Sequence, residues 1–166
     1  MTKNFYNAIK TQIETFIPEM YVRLYRSQFE EIEDGESYSF GFPCCFIEFI
    51  SEENIKQLGN DIQLFDPLIV RVYIGSLEYD SSDGFMDQNT SIMDLKERVY
   101  LALQKFEPSK ASLFIRVDEK MHSEHKQISV FTQDYKTTLI DSTAYENRGD
   151  KETTPTTNLD LTVTFE

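Results

Sequence analysis

Apolar residues at Phe5, Ile9, Ile13, Phe16 and Ile17 are separated by steps of four, four, three and one. That spacing draws one stripe along an α-helix, which Pro18 stops. The stripe needs a surface to lie on, most simply a sheet. Residues 20–29 then alternate, with Met20, Val22 and Leu24 against Tyr21, Arg23 and Tyr25, and predict a strand. The acidic run 30–36, with Asp34-Gly35 inside it, reads as an exposed turn. Phe42 to Ile50 is almost wholly apolar and predicts a central strand covered on both faces. Ser51 to Gly59 reads as a short helical or looped connection ending at a glycine. Residues 61–79 form the longest strand-like segment, with Leu68, Val70, Val72 and Ile74 on one face and a bulge or break at Asp66-Pro67.

Residues 80–88 read as a loop carrying two large apolar side chains, Phe85 and Met86. A helix follows over about 91–106. Ser91 and Asp94 suit a capping box, Ile92, Leu95, Val99, Ala102, Leu103 and Phe106 form its stripe, and Pro108 closes it. Leu113, Ile115 and Val117 alternate with Phe114 and Arg116, and two more strands are predicted at 126–133 and 135–144. The last segment alternates most strictly: Leu159, Leu161, Val163 and Phe165 against Asn158, Asp160, Thr162 and Thr164. The polar stretch 145–157 before it is long for a loop in a compact domain. Helix, two or three strands, helix and four strands predict an α+β fold. Its sheet is mainly antiparallel or mixed, with two principal helices packed on one face.

The chain has the length of one domain, 1–166, and its 13% aromatic share supplies ample core material. Its net charge of −13 repels nucleic acids and anionic membranes, which excludes a reader working through a basic patch. The same charge admits a ring through which DNA passes without sticking, and equally an ordinary acidic intracellular protein. Cys44 and Cys45 are adjacent, so on a strand they point to opposite faces and make no disulfide framework. That pattern, the polar N-terminal stretch and the lack of a membrane-length apolar run predict a soluble cytoplasmic protein.

The sequence predicts no catalytic, cofactor or metal site. His122 and His125 flank Glu124, but in a polar turn they read as solvated histidines rather than ligands. Both cysteines lie in an apolar strand, where a thiol keeps its proton. Asp80, Asp83 and Asp87 lack the remaining ligand spacing of a calcium loop. Phosphate-loop and nucleophile-elbow patterns are missing. What remains is surface. Nine tyrosines exceed what one core needs, and they suit either a protein interface or a second core layer under a helix. Tyr73, Tyr79, Phe85, Met86 and Tyr145 are the interface candidates.

In element order the chain resembles the tail terminator, or tail-completion, proteins of long-tailed bacteriophages and prophages. The resemblance runs through the helix Phe5–Ile17, the proline-opened strand Phe42-Pro43-Cys44-Cys45-Phe46-Ile47-Glu48 and the long strand Leu68–Tyr79. It continues through the helix Ser91–Phe106 to the meander ending in Leu159–Phe165. It implies a homohexameric ring without enzymatic activity or cofactor, which caps the tail tube and meets the neck. The partners it implies are tail-tube and neck proteins, with DNA passing through the ring, and the place it implies is the virion tail or neck. The turn 30–36 and the loop 145–157 extend beyond the family's minimal pattern. A monomeric acidic binding module or adaptor is the competing expectation.

Overall fold

The computed structural model describes residues 3–30, 40–51, 55–59, 61–77, 90–122 and 128–147, with backbone alone at 90 and 91. The elements follow the order α1 (Lys3–Phe16), β1 (Tyr21–Leu24), β2 (Cys44–Ile50), β3 (Ile55–Gln57), β4 (Gln63–Leu77), α2 (Thr90–Leu103), β5 (Ile115–His122), β6 (Ile128–Asp141) and α3 (Thr143–Asn147). The strands form one sheet in the order β1-β2-β4-β6-β5, with β3 paired to β4. The β1–β2 pair is parallel and the others are antiparallel. The fold is α+β.

The helical stripes fall where their periodicity puts them. Phe5, Ile9, Ile13 and Ile17 from the first helical region, with Ile92, Leu95, Val99, Ala102 and Leu103 of α2, bury against Cys45, Ile47, Val70, Val72, Ile74, Phe131 and Tyr135. Each such side chain contributes roughly 1.5–3 kcal/mol of burial. Phe16 leaves the stripe and is exposed. Gln12 donates to the carbonyl of Ala102, and Arg98 donates to Glu19 and to the carbonyl of Phe16, so the helices lie side by side.

The opposite face carries a second core of Phe29, Cys44, Phe46, Ile128 and Val130 with rings from Tyr21, Tyr25, Phe40, Phe42 and Tyr73. Among the described residues this layer includes loop residues Phe29, Phe40 and Phe42 and no helix residue. Gly75 makes the cover possible: a Cβ there would lie 2.7 Å from Phe29 Cζ and 2.8 Å from Cys44 Sγ. The missing side chain lets the Phe29 ring rest on the strand.

Several predicted boundaries change. The first strand stops at Leu24 instead of reaching residue 29. Gln28 accepts from the Arg26 amide and donates to the Leu24 carbonyl, and Ser27 is left-handed, which folds Phe29 back onto the sheet. The expected connection at 51–59 contains a strand, β3. It takes β2's place beside β4 beyond the register shift between Phe65 and Leu68, where Asp66-Pro67 predicted a bulge.

Helix α2 begins at Thr90, so Ser91 lies inside its first turn, and it ends at Leu103, before Pro108. Lys105 turns left-handed there, and its amide donates to the Phe114 carbonyl. The strands expected at 126–133 and 135–144 are one continuous strand, β6. The expected strand at 158–165, and all of the expected turn 30–36 except Glu30, lie outside the described residues.

Candidate interaction surface

On the face away from the helices, register places Glu48 opposite Arg71, Arg71 opposite Asp134, and Asp134 opposite Asp118. Arg71 donates two parallel bonds, from Nε to Asp134 Oδ1 at 2.8 Å and from Nη2 to Oδ2 at 2.7 Å. Two residues along on the same face, Tyr73 donates its hydroxyl to Glu48 at 2.9 Å and stacks on Tyr25, with ring centroids 3.9 Å apart. Burial, with the bond to Glu48, pushes the Tyr73 phenol up, so at neutral pH it is a hydrogen-bond donor and not a nucleophile. The row is a paired polar surface of fixed geometry.

At the end of the sheet, β5 presents a different surface. Phe114 is fully buried among Phe5, Phe106 and Tyr135. With Phe114 inward, Leu113 and Ile115 are turned out, at 43% and 44% exposure, and Val117 and Met121 are each 53% exposed. A register shift between Arg116 and Asp118 sets Val117 in a bulge. The alternation 113–117 marks a strand but does not say which parity faces in, so this apolar edge was not legible as an exposed one.

The edge strand is braced from the helix side. Glu119 accepts from Lys96 of α2, from Arg116 at 2.7 Å and from Gln133 at 3.0 Å. Gln133 also donates to the Lys96 carbonyl and accepts from the buried Tyr135 hydroxyl, while the Arg116 guanidinium lies 4.0 Å over the Tyr100 ring. Burial alone would push the Glu119 carboxyl up; the bonds from Lys96 and Gln133 and the nearby cations outweigh it and hold the group below the usual glutamate range. A depressed folded-state value means the unfolded chain binds the proton more tightly. The carboxylate therefore contributes fully above the ordinary glutamate range, and its contribution is lost as pH falls through the depressed value. Glu119→Gln is expected to cost about 1–2 kcal/mol at neutral pH and progressively less in acid, as pH falls below the ordinary glutamate range, read from urea midpoints. Equal losses in neutral and acid solution would mean that the ionised carboxylate is not the source.

The other candidates carry less chemistry. Cys44 and Cys45 are free and buried on opposite faces of β2, and burial pushes both thiols up, which keeps them protonated. His122 ends β5 instead of lying in a turn, with Nε2 3.3 Å from the Thr132 hydroxyl; His125 and Glu124 lie outside the described residues. Among the described residues no group of three or more His, Cys, Asp or Glu side chains is placed to hold a metal. An open groove of about 440 Å³ between the β3–β4 turn and α3 is lined by Gln57, Asp61, Gln63, Asp141 and Asn147 among others. Both of its carboxylates are already engaged.

Of the predicted interface residues, Tyr73 lies half-buried in the middle of the open face and Tyr145 is exposed on α3. They are not brought together: Thr132, opposite Tyr73, and Asp141, just before α3, lie nine residues apart along β6, roughly 30 Å. Tyr79, Phe85 and Met86 lie outside the described residues. Among those residues no helix is long and apolar enough to cross a membrane.

No family model and no curated protein matches the chain.

Proposed function

We propose that this chain is a non-catalytic assembly subunit of the phage tail-terminator type, forming a ring that closes the tail tube and joins it to the neck. The observation that carries this reading is the β5 edge, where Ile115, Val117 and Met121 stand exposed, with Leu113 just before them, on a strand braced through Glu119. Exposed sheet edges with apolar side chains are surfaces for pairing with another chain. The paired row Glu48–Arg71–Asp134 adds an ordered polar face of the kind found at the rims of interfaces. The resemblance in element order supplies the ring and its place in the virion.

The acidic surface fits a channel that DNA passes without adhering, and it sets the behaviour of the subunits in solution. Each copy carries a charge of −13, so bringing six together opposes assembly, and salt relieves that repulsion. Light scattering after size exclusion is expected to give a mass of six times 19.5 kDa, with association strengthened as ionic strength rises. A monomer at every concentration and salt, with tail-tube protein also present, would overturn the ring and favour the monomeric adaptor. Association that weakened with salt would overturn this account of the charge.

A further inference from the structure

The sheet order begins at β1 and ends at β5, and no described strand takes up the outer backbone groups of either. The Tyr21 and Tyr25 amides donate to Pro43 and Ile47 on the β2 side, so Val22 and Leu24 turn their backbone groups outward. Strand β1 runs parallel to β2, and the pairs β2–β4, β4–β6 and β6–β5 are antiparallel, so β1 and β5 run in opposite directions. A second copy laid beside the first, with its helices on the same side, therefore brings its β1 antiparallel to β5, the more stable arrangement.

Each of these edges carries a charge on the open face with no opposite charge bonded to it among the described residues. Asp118 stands opposite Asp134, whose carboxylate takes both bonds of Arg71, and itself accepts from the Glu119 amide. Like charges directly opposite one another destabilise, so Asp118 lacks a cation. Arg23 follows Tyr21 on the same face. Its guanidinium lies 4.6 Å over the Tyr21 ring and donates to the Val22 carbonyl.

Setting Arg23 opposite Asp118 brings Tyr21 opposite the exposed Lys120 and lays the exposed Leu24 beside Val117 at the bulge. Val22 then meets Glu119, whose carboxylate is turned to Lys96 and Arg116 on the helix side. A shift of two residues sets Arg23 against Lys120 in one direction and, across the bulge, towards Arg116 in the other. Pairing β5 with itself about a two-fold axis fares no better. Centred on Asp118, Glu119 or Lys120, it sets that charge against its own copy. We propose that the outer edge of β5 of one copy pairs antiparallel with the outer edge of β1 of the next, with Arg23 opposite Asp118.

Within one copy the row through Arg23 is Phe46, Tyr73, Thr132 and Lys120, so this register displaces each copy by two residues along the strands. Closing a sheet on itself requires such a stagger. The two edges are different surfaces, so the contact is head-to-tail, and such contacts close into rings when the rotation permits. The Val22 and Leu24 carbonyls already accept from Arg23 and Gln28, but a carbonyl has two lone pairs and takes a neighbour's amide as well. The inference rests on the assembly reading and names its seam.

Charge exchange tests it in the full chain. Arg23 and Asp118 are exposed, so Arg23→Asp and Asp118→Arg are expected to leave the urea midpoint little changed. Each single variant sets like charges across every seam, and the concentration for half-assembly, read by light scattering, is expected to rise about tenfold or more. The double variant restores the pair with its signs exchanged and is expected to recover most of that loss. Singles that assemble unchanged, or a double variant no better than they are, would overturn the pairing. Disulfide trapping reads the same register. Cys44 and Cys45 are buried, so new cysteines react alone. A chain carrying Arg23→Cys with Asp118→Cys is expected to give a ladder of multiples. Within one copy the two positions lie four strand spacings apart, about 19 Å, too far for a disulfide. A ring mass with neither ladder nor rescue removes this seam and leaves the ring, whereas an unaltered chain that stays monomeric under the conditions given for the ring removes both.

Discussion

Replacing Phe114 by alanine is expected to cost about 3–5 kcal/mol, the range for emptying a fully buried aromatic site. The side chain has no exposure and is surrounded by the rings of Phe5, Phe106 and Tyr135, at centroid distances of 5.9–6.2 Å. Those rings come from α1, from the turn after α2 and from β6, so no single element can move to fill the gap. Its backbone is fixed as well: its amide donates to the Phe106 carbonyl and its carbonyl accepts from the Lys105 amide. Against a total of about 5–15 kcal/mol, such a loss brings the fold close to its limit. With a urea slope of about 2 kcal/mol per molar, the midpoint should fall by roughly 2 M. Phe114→Leu, which keeps most of the volume, should cost about 1.5 kcal/mol or less. A loss under about 1 kcal/mol for the alanine variant would mean the site collapses freely and Phe114 does not set the direction of β5.

Phe114 also shows where sequence reasoning stops. The stripe from Phe5 to Ile17 was legible because a helix places every third or fourth residue on one face, and burial follows it except at Phe16. The long strand β4 was legible for the same local reason, with period two. Around Phe114 the pattern gave a strand but not its parity, because Leu113, Ile115 and Val117 outnumber the one aromatic that faces inward. Parity there depends on what α1 and β6 bring to the site, which no local window contains. Strand β3 was missed because Ile-Lys-Gln has no alternation to detect, and its place is set by pairing with Gln63–Phe65. Of the candidate surface, Tyr73 was picked out by residue type alone. The apolar edge and its brace through Glu119 depend on contacts 14 and 23 positions apart in the chain.

The strands expected at 126–133 and 135–144 run as one, and the continuity of β6 through Asp134 has a cause that can be measured. A carboxylate in the middle of a strand reads as a break, yet Arg71, 63 positions away, meets it with two bonds, and the strand runs through. Arg71 stands in register between Glu48 and Asp134, with Asp118 beyond, so it is the one cation in a row of three carboxylates. Arg71→Met is therefore expected to cost about 3 kcal/mol at neutral pH. The Asp134 side chain, only 11% exposed, is left charged without its partner. Asp134→Ala should cost less, about 2 kcal/mol, because the Arg71 side chain is 35% exposed and its cation can turn to water or to Glu48. The double variant should cost less than the sum of the two by about 1.5–3 kcal/mol, since the second change removes a group the first had already stranded. Urea unfolding of the four proteins closes the cycle. Additive losses would mean that each charge is held by its own hydration, and the open face would then be free to exchange its pairing for a partner's charges.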